Sequence, residues 1–232
     1  MTPAQYLAHL ADGAARTASA IRADRLDAAV AACPGWTLRD LVAHVGAVHR
    51  WASLVVSTTV RSPQPEVQAP PELERLARWF ETGAADLLEL LAATDPQQPC
   101  WTFAGELRAG FWLRRQALET AVHCWDAETA VTGRSRLDAA LAADGIAEVI
   151  DVFTPRQVRI GRLAPLEQGL VLRSTDDLGA WTVGPDAVAE VAATAEVLLL
   201  LLWHRVPLDD PRVVVTGDRG AAAQVLQSAL AP

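Results

Sequence analysis

Four long stretches with apolar residues at helical spacing, kept apart by proline- and glycine-containing breaks, constrain this chain more than any other feature. The first runs from Pro3 to about Ala31 and ends at the turn Cys33-Pro34-Gly35. The second opens at Thr37, a capping residue with Asp40 three positions on, and runs to about Thr58. Arg61 to Pro71 contains Pro63, Pro65, Pro70 and Pro71, so it cannot be regular helix and reads as a long exposed connection. The third stretch, Glu72 to Ala93, carries a core stripe of Leu73, Leu76, Trp79, Phe80, Leu87, Leu90 and Leu91. The fourth covers roughly Gly110 to Val131. Four long helices with one long connection predict a four-helix bundle, whose interior commonly holds metal sites built from facing helices.

One more helix, Asp138 to Val152, is expected to lead out of the bundle. After Phe153 the pattern changes. Gln157–Arg162 and Gly169–Ser174 are short β-branched or apolar runs, Asp176 to Gly179 is a turn signal, and Ala180–Val183 reads as the return strand of a hairpin. A helix over Thr194–Arg205, a strand at Arg212–Thr216 and a helix from Arg219 to Leu230 complete the reading. The expected organisation is a helical domain over 1–152 and a small α+β domain over 153–232.

Composition excludes several classes. Half of the 232 residues are hydrophobic, too many for a disordered chain. A net charge of −8 argues against nucleic acid as a partner, which calls for a basic face. All 20 basic residues are arginine, a bias expected of a GC-rich genome. The three cysteines Cys33, Cys100 and Cys124 follow no CxxC spacing and make no disulfide framework. The start of the chain carries no basic segment followed by an apolar run, and the most apolar segment, Val197–Trp203, is too short to span a membrane. A cytoplasmic protein with no membrane partner is expected, as a monomer or a homodimer.

Chemistry concentrates in the second and fourth helices. Glu119 and His123 are four residues apart, about 40° around a helix axis and therefore on one face. His44 lies on the second helix. If the two helices pack together, two imidazoles and one carboxylate converge on one divalent ion and leave a fourth position open, as in catalytic zinc sites. His49 lies five residues after His44, about 140° away, and reads as a rim residue or an outer hydrogen-bond donor. His9 has no companion, and His204 follows an apolar run where a helix-end cap is its expected role. Cys124 points away from its neighbour His123 and reads as a small buried hydrophobe. Asp126 is open to two readings, orienting a neighbour or pairing with an arginine of its own helix.

These motifs resemble a known family. Cys33-Pro-Gly-Trp-Thr-Leu-Arg-Asp-Leu-Val-Ala-His44 is similar to the N-terminal motif of the mycothiol-dependent maleylpyruvate isomerase family, within the DinB-like superfamily. Arg114 to Glu128 resembles its second motif and Asp144-Gly-Ile-Ala-Glu148 its connecting helix. Trp181-Thr-Val, Leu200 to Arg205 and Thr216-Gly-Asp218 are similar to its C-terminal domain, which has a sterol-carrier-like fold. The resemblance covers nearly the whole chain and differs at Leu118 and Cys124, beside the candidate ligands.

The resemblance implies a DinB-like helical bundle, a divalent metal, usually zinc, on His44, Glu119 and His123, and mycothiol as a low-molecular-weight thiol cosubstrate. It implies an enzyme that transfers the thiolate to a small electrophile, or adds it reversibly to a conjugated double bond to give cis–trans isomerisation. Arg39, Arg114 and Arg115 are candidates for holding substrate carboxylates. The alternative from a different class is a non-catalytic module that holds a small apolar or lipid-like ligand on the same fold. The electrophile itself is not written in the sequence.

Overall fold

The computed structural model describes residues 1–22, 24–62, 68–70, 72–105 and 107–232. Most of the expected long connection, Arg61 to Pro71, lies outside them. Two compact units are present, Met1–Arg136 and Leu137–Pro232. No described helix is long and apolar enough to cross a membrane.

The first unit consists of helices α1 (Pro3–Ala20), α2 (Leu38–Thr58), α3 (Leu73–Ala93) and α4 (Ala109–Thr132). Its main packing pairs are α1 with α4 and α3, and α2 with α3 and α4, which is the four-helix bundle expected from the sequence. The start of α2 follows the sequence closely: Thr37 accepts from the Asp40 N–H at 3.3 Å, and the Asp40 side chain accepts from the Thr37 N–H at 2.9 Å. Thr59, with a left-handed φ of 61°, ends the helix. α1 stops at Ala20, well short of the expected Ala31. Ala28 and Leu26 instead turn their carbonyls toward the N–H groups of Leu38 and Arg39, at 2.9 and 3.0 Å. Those are donors that the first turn of a helix leaves unpaired, so the segment gains more by serving α2 than by extending α1.

α4 is buried around most of its circumference, from Ala109 and Trp112 through Leu118 and Val122 to Ala127. In that position a polar side chain costs free energy unless it finds a partner. It buries Arg115, Gln116, Glu119, Thr120, His123 and Asp126.

The second unit begins with α5 (Ala139–Glu148), a π-helical turn (Val149–Phe153) and α6 (Thr154–Arg159). The sequence reading ends the first domain at residue 152. Here α5 packs on α7 (Ala195–Leu202), so the compact unit starts before α5. The run Gln157–Arg162, grouped in the sequence with the short β-branched or apolar segments, is helical at its start and then a turn. Pro155 explains the widened turn: it has no N–H for the Asp151 carbonyl, and the Thr154 N–H reaches back five residues to Val149.

A four-stranded sheet follows, with β1 (Gly169–Ser174), β2 (Ala180–Val183), β3 (Ala187–Ala193) and β4 (Val214–Gly217) in the order β2-β1-β3-β4. β1 pairs antiparallel with β2 and parallel with β3, and β3 pairs antiparallel with β4. The hairpin β1–β2 is the one expected, whereas β3 was not anticipated. α7 and α8 (Arg219–Gln227) pack against β1 and β3. The apolar run in α7 is core, with Val197 through Leu202 all buried.

Candidate metal centre

α2 and α4 run antiparallel, with His44 opposite His123, His49 opposite Thr120 and Trp51 opposite Trp112. This pairing brings together the three residues singled out in the sequence. Glu119 Oε1 lies 3.4 Å from His44 Nε2 and 3.3 Å from His123 Nε2. Both distances exceed the usual 2.7–3.2 Å range of an N–H···O hydrogen bond. They match another geometry: two donors each about 2.0–2.1 Å from a tetrahedral ion lie about 3.3–3.4 Å apart. The three donor atoms all fall within 4.8 Å of one another. Two imidazoles and a carboxylate at that spacing suit a divalent ion of the zinc class.

The surrounding residues prepare each donor. Arg115, one turn before Glu119, pairs its guanidinium with Glu119 Oε2 and leaves Oε1 to face the histidines. His123 Nδ1 lies 3.0 Å from Asp126 Oδ2. A carboxylate only accepts, so this contact selects the Nδ1–H tautomer and leaves the Nε2 lone pair toward Glu119. Burial, then the charges of His123 and Arg115, push the His44 pKa down to about 4. Its imidazole is therefore neutral at pH 7, the form that ligates metals. The Glu119 and His123 side chains are only 10% and 8% exposed, against 32% for His44, so the site opens to solvent on the His44 side.

The Cys33-Pro34-Gly35-Trp36 turn covers this edge. Its Trp36 N–H donates to the Cys33 carbonyl at 2.9 Å, and Gly35 has a φ of 84°. Proline followed by a left-handed glycine is the residue pattern of a type II turn. The turn sets the Trp36 ring 5.0 Å from the His44 ring and places Cys33 Sγ 4.0 Å from Asp126 Oδ2.

Of the other residues considered, His49 and Arg115 take roles that differ from those expected. His49 is fully buried rather than at the rim, its Nε2 2.9 Å from Thr120 Oγ1 and its ring beside Phe80. Burial, then Arg50 and His123, lowers its pKa to about 3. Arg115 is a buried partner of Glu119, not an exposed holder of substrate. His204 follows the end of α7 with a left-handed φ of 57°, and its Nε2 lies 2.8 Å from the Leu226 carbonyl. Cys124 is buried with its thiol pKa raised to about 11 by burial, which keeps it inert. None of the three cysteines is in a disulfide. The closeness of Cys33 to Asp126 and His123 was not anticipated, because it depends on a turn folding back over a helix some 93 residues later.

Comparison with known proteins follows the same lines. The family model for the mycothiol maleylpyruvate isomerase N-terminal domain matches residues 7–128, and that for the MDMPI C-terminal domain matches 140–224. The chain belongs to the mycothiol-dependent maleylpyruvate isomerase family. The two family domains fall on either side of the Arg136/Leu137 division. A crystal structure of the mycothiol-dependent maleylpyruvate isomerase superposes with a TM-score of 0.72 at 15% identity, covering 94% of this chain and 95% of that one. A histidine-to-alanine mutant of that isomerase gives the same TM-score and coverage at 14% identity. At such identities the likeness is one of fold. No curated protein matches the chain by sequence.

Proposed function

We propose that the chain is a metal- and thiol-dependent enzyme acting on a small electrophile, either a cis–trans isomerase of the maleylpyruvate type or a thiol S-transferase, with mycothiol as its thiol, working in the cytoplasm. The observation that carries this reading is the tetrahedral-edge spacing of Glu119 Oε1 to His44 Nε2 and His123 Nε2, 3.4 and 3.3 Å, in a chain of this family.

His44, Glu119 and His123 would hold a divalent ion such as zinc. Such an ion would supply Lewis acidity, lowering the pKa of a thiol that meets it. Every other contribution comes from the chain. Arg115 and Asp126 fix the orientation of Glu119 and His123, so little reorganisation is needed when the thiol arrives. The partly exposed His44 edge gives the thiol a path in, while the buried Glu119 and His123 exclude water behind it.

In the isomerase, the thiolate forms a C–S bond at one carbon of the conjugated double bond, and the π electrons shift toward the activating carbonyl. The former double bond rotates, the C–S bond breaks, and thiolate and trans product separate. In the transferase, the thiolate displaces a leaving group and stays on the electrophile.

Elemental analysis tests the centre first. Purified wild type should carry about one divalent ion per chain, and His44→Ala and His123→Ala should each lose it. Full metal content in His123→Ala, or a wild type that neither carries nor takes up metal, would overturn the assignment. Maleylpyruvate isomerisation with and without mycothiol then separates isomerase from transferase.

A further inference from the structure

His123 presents its two nitrogens to two different groups of donors. Nε2 faces Glu119 at 3.3 Å, whereas Nδ1 faces Asp126 Oδ2 at 3.0 Å. Cys33 Sγ lies 4.0 Å from that same carboxylate oxygen. Sulfur, nitrogen and oxygen atoms of Cys33, His123 and Asp126 all lie within 4.8 Å of one another. Around a tetrahedral ion, a sulfur donor at about 2.3 Å and an oxygen donor at about 2.0 Å sit about 3.5 Å apart, and two N/O donors about 3.3 Å apart. The Sγ–Oδ2 and Nδ1–Oδ2 separations depart from these by about half an ångström or less, a gap that side-chain rotation closes, and Sγ lies within 4.8 Å of a His123 ring nitrogen. Asp126 is buried, while Cys33 is only partly so, which leaves an ion a way in past the turn.

We propose that Cys33 Sγ, Asp126 Oδ2 and His123 Nδ1 form a second donor set, selective for thiophilic cations, whose occupation excludes metal from the set of His44, Glu119 and His123. The sulfur makes this set softer than its neighbour and so favours ions such as cadmium. On binding, the Cys33 S–H bond breaks, its proton passes to bulk water and a sulfur–metal bond forms, with no change of oxidation state. Exclusion follows from the imidazole. Its neutral form carries one proton between two nitrogens. A cation on Nδ1 sends that proton to Nε2, which removes the lone pair the first set requires. The chain would thus be disabled by thiophilic ions through its own histidine. Exclusion rests on the metal centre proposed above; the second set does not.

Zinc-loaded wild-type protein titrated with Cd²⁺ tests both parts. Sulfur-to-cadmium charge-transfer absorbance should rise, about one zinc should leave per cadmium bound, and iodoacetamide should alkylate Cys33 about tenfold more slowly, as read by peptide mass spectrometry. Cys33→Ser, its fold checked by retention of zinc, should show no such absorbance. Absorbance that persists in Cys33→Ser, or wild-type Cys33 that alkylates at an unchanged rate in Cd²⁺, overturns the second set. Zinc retained while Cys33 is protected overturns the exclusion. A wild type that never holds zinc but protects Cys33 with Cd²⁺ sinks the first centre and supports the second set.

Discussion

The two ends of the α2–α4 pair are built from opposite chemistry. At one end His44, Glu119, His123 and Asp126 crowd together, each depending on a named partner for its orientation. At the other, Trp51, Trp101, Trp112, Phe103 and Phe111 meet ring to ring, several in edge-to-face contacts. Their polar edges are satisfied too: Trp112 Nε1–H donates to the Trp101 carbonyl at 2.7 Å, and Trp51 Nε1–H to the Ser62 carbonyl at 2.9 Å. Aromatic burial is large and tolerant of small displacements, while a set of three donors tolerates almost none. One end therefore contributes mainly stability, and the other depends on geometry.

Breaking the aromatic end should have the largest effect on stability. Trp112 is fully buried, so Trp112→Ala is expected to cost about 3–5 kcal/mol in urea unfolding. Metal content per folded chain should stay at its wild-type level. Loss of metal with little loss of stability would mean the two ends are not divided as described.

At the polar end, Asp126→Asn should weaken metal binding about 10- to 100-fold, because the partner that orients His123 loses its charge. Competition against a chelator measures this, and an unchanged affinity would deny Asp126 a positioning role.

Acid sharpens the contrast through His49, which sits between the two ends. Its pKa is about 3 in the fold against 6.5 for an ordinary histidine. Below about pH 6.5 the unfolded chain therefore binds a proton that the folded chain refuses. Stability contributed by the neutral ring is complete above that pH and falls by about 1.4 kcal/mol per pH unit as pH drops toward 3. His49→Gln, compared with wild type in metal-free protein, should flatten the slope over this window. An identical slope would show that His49 is not held neutral.

The smallest effect belongs outside both ends. Arg16 grips Glu128 through two bonds, 2.9 and 2.5 Å, joining α1 to α4, yet both side chains are partly exposed. Arg16→Met should cost no more than about 1 kcal/mol in the same unfolding assay and leave metal content unchanged.

The same division governs what the sequence could reveal. Period and breakers located α2, α3 and α4 to within a residue or two, and spacing on one helix face put Glu119 beside His123. β3 escaped because Ala187-Val-Ala-Glu-Val-Ala-Ala193 is poor in strand-forming bulk, although alternate residues Ala189, Val191 and Ala193 are buried. The helical start of Gln157–Arg162 escaped because so short a run shows no helical period. Within the candidate site, Glu119 and His123 could be paired from local spacing, while the closeness of Cys33 to Asp126 could not. That contact arises only when the turn at residues 33–36 folds onto α4.

All three proposed donors of the metal centre lie on α2 and α4, and α1 and α3 supply none of them. The bundle is therefore split in its freedom to change. Residues of α1 and α3 answer only to volume and polarity, so they can drift by compensated exchanges that leave the centre untouched. A shift of α2 against α4 by one residue would slide His44 about 1.5 Å past its partners. In a saturation library, substitutions tolerated for metal retention should cluster on α1 and α3, and intolerance should trace a single seam between the other two helices.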